Sequence, residues 1–316
     1  MPKSLRNERI GKENFNNEGY SMKIVEYKTA DNIIVEFQDE YKQKVNTTYD
    51  HFIKGKVSNP HKNRRLGETR YNNQGSLMKI VEYNNSHDVI IEYQDKYRFK
   101  RRTYYSNFVN GCLDNPYFPT VCGVGIVGDM KKYTSKNIKV DREYNMWRGI
   151  IHRCYDKECK IKYPTYKEAT CCKDWLLFEN FYEWIHSQEN FDNWNKCNDF
   201  DIDKDILIKG NKVYSPETCC LVPSRVNYLF VNKKNKRGNL PIGVTRDKNR
   251  YSAQCNDINC KHHYIGSFNN PEEAFNAYKV YKEKIIKQVA LVEYDKGNIT
   301  KQCYEAMMRY EVEITD

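Results

Sequence analysis

The chain repeats itself once, and this duplication constrains its first third more than any single residue does. "GKENFNNEGYSMKIVEYKTADNIIVEFQDEY", from Gly11, aligns without gaps on "GETRYNNQGSLMKIVEYNNSHDVIIEYQDKY", from Gly67, at an offset of 56. Both copies run on into Y-x-x-F-x-x-G-x-x-x-N-P, Tyr49 to Pro60 and Tyr105 to Pro116. Between Ile10 and Pro60, 22 of 51 aligned pairs are identical. The β-branched and aromatic runs in each copy are separated by Asp and Asn, which predicts antiparallel strands. Asn16-Asn17 with Gly19, and Asn72-Asn73 with Gly75, supply turns that need positive φ. Residues 8–60 and 64–118 are therefore read as two small β modules. At about 55 residues each, a core is marginal alone, and packing of one copy on the other is one way to complete it. Following a periodic ligand such as DNA and serving as a spacer or protein-interaction unit are both open to such a repeat.

With 316 residues the chain exceeds one small domain, and its formal charge of +10 favours a polyanionic partner. Lys, Asn, Ile and Tyr all have A/T-rich codons, so the excess charge counts only where it is localised. The start, "MPKSLRNERIGKENFNN", has no apolar segment, and no later run is long enough to span a bilayer. The expectation is a cytoplasmic protein without membrane contact, its 12 cysteines reduced.

Residues 119–140, containing "CGVGIVGDMKKYTSKN", read as a linker. The "GVGIVG" run lacks the Gly-Lys-Ser/Thr ending of a phosphate loop. Beyond it, Trp147, Ile150, Ile151 and Cys154 fall at helical spacing, as do Trp175, Phe178, Phe181, Tyr182 and Ile185, predicting two core helices. Cys154, Cys159, Cys171 and Cys172 follow C-x4-C-x11-C-C rather than the paired C-x2-C of zinc sites, so structural zinc is not expected.

The next segment is "DIDKDILIKGNKVYSPETCCLVPSRVN", Asp201 to Asn227. It resembles the core of His-Asn-His (HNH, ββα-metal) nucleases. The resemblance implies strand and loop over "IDKDILIKGN", a second strand in "VYSPETCCLVP" and a helix start at "SRVN". It also implies a metal-binding role for Asp203, and positions in the site for Lys204, Asn211 and Asn227. The departure is that the family has a His where Lys204 stands, and Ser224 sits near the place of its second His. There is also a two-residue insertion before Gly210-Asn211. Such a nuclease needs a divalent cation on the scissile phosphate and a base to deprotonate water. A lysine flanked by Asp203 and Asp205 keeps its proton, so Lys204 is expected to grip phosphate instead. Asp203, Asp205, Asn211, Glu217 and Asn227 remain as a set able to hold Mg²⁺ if the core cuts.

The charge is localised after Phe230. "VNKKNKRGNLPIGVTRDKNR" holds Lys233, Lys234, Lys236, Arg237, Arg246, Lys248 and Arg250 against one acid, Asp247. A strand–strand–strand–helix order follows. Gly243-Val244 opens the first strand, "RYSAQC" and "HHYIGSF" are the second and third, and Pro271 with Glu272-Glu273 starts a helix. Ala274, Tyr278, Tyr281, Ile285 and Val289 form its buried stripe. Alternation turns Tyr251, Ala253, Cys255, His263 and Ile265 to the helix and leaves Arg250, Ser252, Gln254, His262 and Tyr264 outward. Arg246 and Lys248 are expected to extend that outward face. Cys255, Cys260, His262 and His263 span a turn, and the two histidines point to opposite faces, so no metal is expected there.

Gly243-Val244, Tyr251-x-Ala253, Tyr264-Ile265-Gly266 with Phe268, and "PEEAFNAY" closely resemble the plant ethylene-response-factor (APETALA-type) DNA-binding domain over about 50 residues. That resemblance implies that the sheet, not the helix, enters the major groove of double-stranded DNA. The order of repeats, HNH-like core and this domain is similar to phage and mobile-element homing-endonuclease proteins, which implies a bacterial host's cytoplasm. The face carries fewer Arg and Trp than the plant domains, so their target sequence does not transfer.

The expectation is a multidomain α+β protein. It comprises the two repeats, the linker, a helical segment with a degenerate HNH-like core (141–232), an ethylene-response-factor-like domain (238–292) and a C-terminal helix and tail (293–316). The leading function is sequence-specific binding of double-stranded DNA. The rivals are an active metal-dependent HNH homing endonuclease and a protein-interaction module built on the repeats. The sequence names no protein partner and no oligomeric state.

Overall fold

A computed structural model of the chain describes residues 8–60, 65–132, 141–197, 199–231 and 238–316. It is α+β, with helices and several small sheets. The chain divides into two compact units, Met1–Asn115 and Pro116–Asp316.

In the first unit, each copy is an antiparallel four-stranded meander closed by a short helix. The first copy has β1 (Glu13–Phe15), β2 (Ser21–Thr29), β3 (Asn32–Phe37), β4 (Lys44–Thr47) and α1 (Tyr49–Ile53). The second has β5 (Thr69–Tyr71), β6 (Leu77–Asn85), β7 (Asp88–Tyr93), β8 (Lys100–Thr103) and α2 (Tyr105–Asn110). Strict alternation in β3 buries Ile33, Val35 and Phe37. In β2 a register shift after Ile24 returns Tyr27 to the inner side, so that face stays apolar past the irregularity. Each copy has its own apolar cluster, around Met22, Ile24 and Phe52 in one and Met78, Ile80 and Phe108 in the other. Among the described residues, neither cluster draws a member from the other copy.

The residues shared by the two copies are largely those that close the fold. Asn16 is 5% exposed; its Oδ1 accepts the N–H groups of Glu18 and Tyr20, and its Nδ2 donates to Val57 O at 3.0 Å. Asn72 repeats this with Gln74, Ser76 and Leu113 O. Gly55 has φ +65°, and a Cβ there would lie 2.6 Å from Asn17 Oδ1, so the turn admits only glycine. The N-P ending contributes as well, with Asn115 Nδ2 donating to Asp95 Oδ2 at 2.8 Å.

The second unit begins with a hairpin, β9 (Pro119–Val121) and β10 (Gly125–Ile126). This corrects the linker expectation for residues 119–132, while residues 133–140 lie outside the described ones. Val121 is buried, and Cys122, Val124, Val127 and Met130 pack beside it. The glycines serve close approach here, since a Cβ on Gly125 would lie 3.1 Å from the Trp147 ring. Asp129 N and Tyr117 Oη both donate to the buried Glu179 carboxylate.

The hairpin packs on α3 (Asp141–Tyr155), which is followed by α4 (Lys157–Lys162), β11 (Thr170–Cys171), α5 (Phe178–His186) and α6 (Phe191–Lys196). Trp147, Trp175, Phe178, Phe181 and Trp194 fill this first core, and Trp147 Nε1 donates to Trp175 O at 2.7 Å. Next come β12 (Phe200–Asp203), β13 (Val213–Tyr214), β14 (Cys220–Pro223) and the one-turn α7 (Ser224–Asn227). The last group is β15 (Val244–Asp247), β16 (Arg250–Asn256), β17 (His262–Phe268), α8 (Pro271–Asp295) and α9 (Lys301–Met308). β12 pairs antiparallel with β14, and β15–β16–β17 form one antiparallel sheet against α8.

Strand β14 is buried along its whole length because it serves two cores. Leu221 points into the first, and Cys220 and Val222 point into a second with Ile206 and Val226. That second core continues through Val244 and Ala253 of the sheet, Ala274, Tyr278 and Ile286 of α8, and Cys303 and Met307 of α9. Residues 141–232, 238–292 and 293–316 were expected as separate parts. The boundaries do not follow the cores: the sheet, α8 and α9 share one core with Cys220, Val222 and Val226, while α3, α5 and α6 pack in the other with Leu221. No helix among the described residues is long and apolar enough to cross a membrane.

Candidate nucleic-acid interface

The loop after β12 is held by its own polar side chains. Asp203 Oδ1 accepts the backbone N–H groups of Asp205 at 2.6 Å and Ile206 at 2.7 Å, the turn geometry that a short carboxylate favours. Lys204 is 7% exposed, and its Nζ donates to Asp205 Oδ2 at 2.6 Å and to Asn211 O at 3.1 Å. Asn211 Nδ2 returns to Lys204 O and Val213 O, and its Oδ1 accepts Val213 N–H. The ammonium also lies 5.8 Å from the Tyr214 ring. Lys204 was expected to grip phosphate; instead it points inward and closes the loop, because its partners lie within eight residues and seal it from solvent. Burial pushes the Asp203 carboxyl above its ordinary range, against the pull of its two N–H donors.

The residues named for Mg²⁺ do not converge. Glu217 is exposed, and Asn227 Nδ2 donates to Asp201 Oδ2 at 3.1 Å rather than joining Asp203. Among the described residues, the ligating side chains that do come together are Cys122, His152 and Asp156. Lys204→Ala is expected to lower stability by about 2 kcal/mol. The cost stays below that of a fully buried pair because the Asp205 side chain is 42% exposed. Urea unfolding measures it, and DNA affinity of the folded variant should not change.

Asp201 and Asn227 face a cleft of about 520 Å³ that Arg142, Asn145 and Arg153 of α3 also line. Arg142 donates to the carbonyl oxygens of Trp194 and Cys197 and lies over the Trp194 ring. The Arg153 guanidinium lies 5.7 Å from the Tyr166 ring and 5.2 Å from the Tyr214 ring, and its Nε has no hydrogen-bond partner among the described residues. Two guanidinium groups in a concave site suit an anion such as a phosphate. In the sequence these residues carry only one signal: their helical spacing on the face of α3 opposite Trp147, Ile150 and Ile151.

The sheet β15–β17 has one face on α8 and one in solvent. Val244, Ala253 and Cys255 are buried toward α8, and His263 stacks on Tyr281 of that helix with centroids 4.6 Å apart. The helix starts where its capping residues place it: Asn270 accepts Glu273 N–H, and Pro271 follows. Gly243 has φ +76°, and a Cβ there would run into the Tyr278 ring, which fixes how the sheet enters against the helix. On the solvent face stand Thr245, Arg250, Ser252, Gln254, His262 and Tyr264, through the pairs Thr245↔Ser252, Gln254↔Tyr264 and Asn256↔His262. Tyr264 is 56% exposed. Arg250 Nη2 donates to Ser267 O at 2.8 Å, and a His262 ring nitrogen lies 2.8 Å from Gln254 Oε1.

Two of the expected reader residues are not on this face. Arg246 pairs with Tyr251, which in turn pairs with Phe268, and both of those pack against the core. Because Val244 faces α8, alternation puts Thr245 and Asp247 on the solvent face and Arg246 on the helix side, at an exposed edge. Lys248 occupies the β15–β16 turn with φ +51°. Lys233, Lys234, Lys236 and Arg237 lie outside the described residues. No protein-family model, curated protein or solved structure matches the chain.

Proposed function

We propose that this chain binds double-stranded DNA sequence-specifically through the solvent face of β15–β17, as its resemblance to the ethylene-response-factor domain implies. The observation that carries the reading is the chemistry of that face. It presents a guanidinium, a carboxamide, a hydroxyl, an imidazole and an exposed phenol on a twisted three-stranded platform, with Asp247 as the carboxylate at one end. Arg250 suits guanine O6 and N7, Gln254 suits adenine N6 and N7, and Tyr264 offers apolar contact to a thymine methyl. The His262–Gln254 contact holds the carboxamide in one orientation, which favours a defined reading partner. Lysines near the sheet, Lys248 and Lys261 among them, supply phosphate contacts that position without specifying.

The Asp203 loop acts on this reading as a structural remnant of an HNH-type core. Its carboxylate oxygen is taken by two N–H groups, and its lysine is committed within the loop. A phage or mobile-element setting, and with it a bacterial host's cytoplasm, goes with the same resemblance.

Selecting bound fragments from random DNA, with and without Mg²⁺, tests the function. Enrichment of one site with intact ends is the expected result. Mg²⁺-dependent ends that vanish in Asp203→Asn, while binding survives, would make the endonuclease the correct reading. Arg250→Ala is expected to cost about 1–3 kcal/mol on the best site and to flatten preference at one position. A uniform loss across all sequences would take the reading role away from this face.

A further inference from the structure

We propose that Cys122, His152 and Asp156 form a binding site for a thiophilic divalent transition ion, Zn²⁺ foremost, which ties the β9–β10 hairpin to the junction of α3 and α4. One sulfur, one imidazole nitrogen and one carboxylate oxygen lie within 4.8 Å of one another, each on a half-buried residue. In a tetrahedral zinc site with the usual bond lengths, such atoms lie about 3.6 Å apart, so closure needs about 1 Å of side-chain movement. The ligand types select against Mg²⁺ and Ca²⁺, which take oxygen only, and toward Zn²⁺. Water is left the fourth position.

Three features of the fold bring the set together. His152 and Asp156 are four residues apart, and Asp156 N donates to His152 O at 3.0 Å, so the helical turn carries both onto one face. Asp156 caps α4, and its Oδ1 accepts Cys159 N–H at 2.7 Å, which orients the carboxylate from behind. Cys122 reaches them from the hairpin turn, where it holds φ +51°, a conformation that residues with a Cβ rarely adopt.

Of the cysteines weighed from sequence, two are placed away from this set. Cys154 and Cys171 are buried among the aromatic side chains of the first core, 1% and 8% exposed.

Metal binding to the full chain provides the test. Chelator-stripped protein is titrated with Co²⁺ and with Zn²⁺ against a chromophoric competitor. The unmodified chain is expected to hold one ion and to show the thiolate-to-cobalt charge-transfer band of a tetrahedral site. Cys122→Ser should remove that band and weaken Zn²⁺ binding by roughly tenfold or more, a loss that even outer partners of a ligand can cause. His152→Gln should weaken binding similarly while keeping the band, and Cys112→Ser, an exposed thiol in the first unit, should change neither. An unmodified, folded chain with no thiolate band overturns the proposal, whatever happens to the variants. An unchanged band in Cys122→Ser does so equally.

Discussion

DNA affinity of the full chain is expected to fall by about 10³ to 10⁵ between 50 and 200 mM salt, for six to ten neutralised phosphates. The direction follows from the distribution of charge. The net charge is +10, and the stretch leading into β15 places Lys233, Lys234, Lys236 and Arg237 within five residues, all positive. Each phosphate neutralised by Lys or Arg releases condensed counterions, so the logarithm of affinity falls linearly with the logarithm of salt concentration. Lys234→Ala should weaken all sequences alike and reduce the slope by about one contact, whereas Arg250→Ala should change base preference. Fluorescence anisotropy on the selected site and on a scrambled duplex separates the two. A flat salt response would sink the DNA-binding proposal outright.

Asn72→Ala is expected to cost the second repeat about 3 kcal/mol. One side chain satisfies two backbone N–H groups of the turn and one carbonyl of the closing segment while 5% exposed. Three hydrogen bonds at about 1 kcal/mol each, with partners left partly buried and unmet, set the scale. A module of this size has a total stability of about 3–7 kcal/mol, so the loss removes much of it. Hydrogen exchange of the β5–β8 amides measures it directly. Asn16→Ala should do the same to β1–β4 alone, because the two copies have separate apolar clusters. If either substitution loosened both copies together, they would be one cooperative body. Unchanged exchange in both would mean that the clasp is not what closes the turn.

The duplication alone established that one strand pattern occurs twice, and the strands of the two copies begin and end in step. Alternation along β16 and through His262–Tyr264 of β17, and Asn270 with Pro271 ahead of α8, are equally legible, because each depends on neighbours within a few residues; the irregularity that re-phases β17 from Gly266 is not. Even there, a four-residue strand does not set its own phase, and pairing with Tyr251 of β16 turns Arg246 to the helix side rather than the solvent face.

Everything that required a distant partner was decided by tertiary structure. The glycine-rich run after Pro119 resembles a linker until Trp147 comes to pack against Gly125. The identities of Lys204 and Asp203 are consistent with a surface grip on phosphate beside a metal-binding carboxylate. Burial beside Tyr214, together with the return of Asn211, makes the same residues a loop clasp. β14 reads as one strand, but which of its side chains serves which core depends on two separate apolar clusters, one taking Leu221 and the other Cys220 and Val222. Cys122 and His152 are thirty residues apart and share no spacing rule; only the hairpin's packing on α3 brings sulfur to nitrogen. Periodicity and capping are local energies, fixed by hydrogen bonds along the chain. Burial and convergence depend on which loops close, and a linear pattern does not encode that choice.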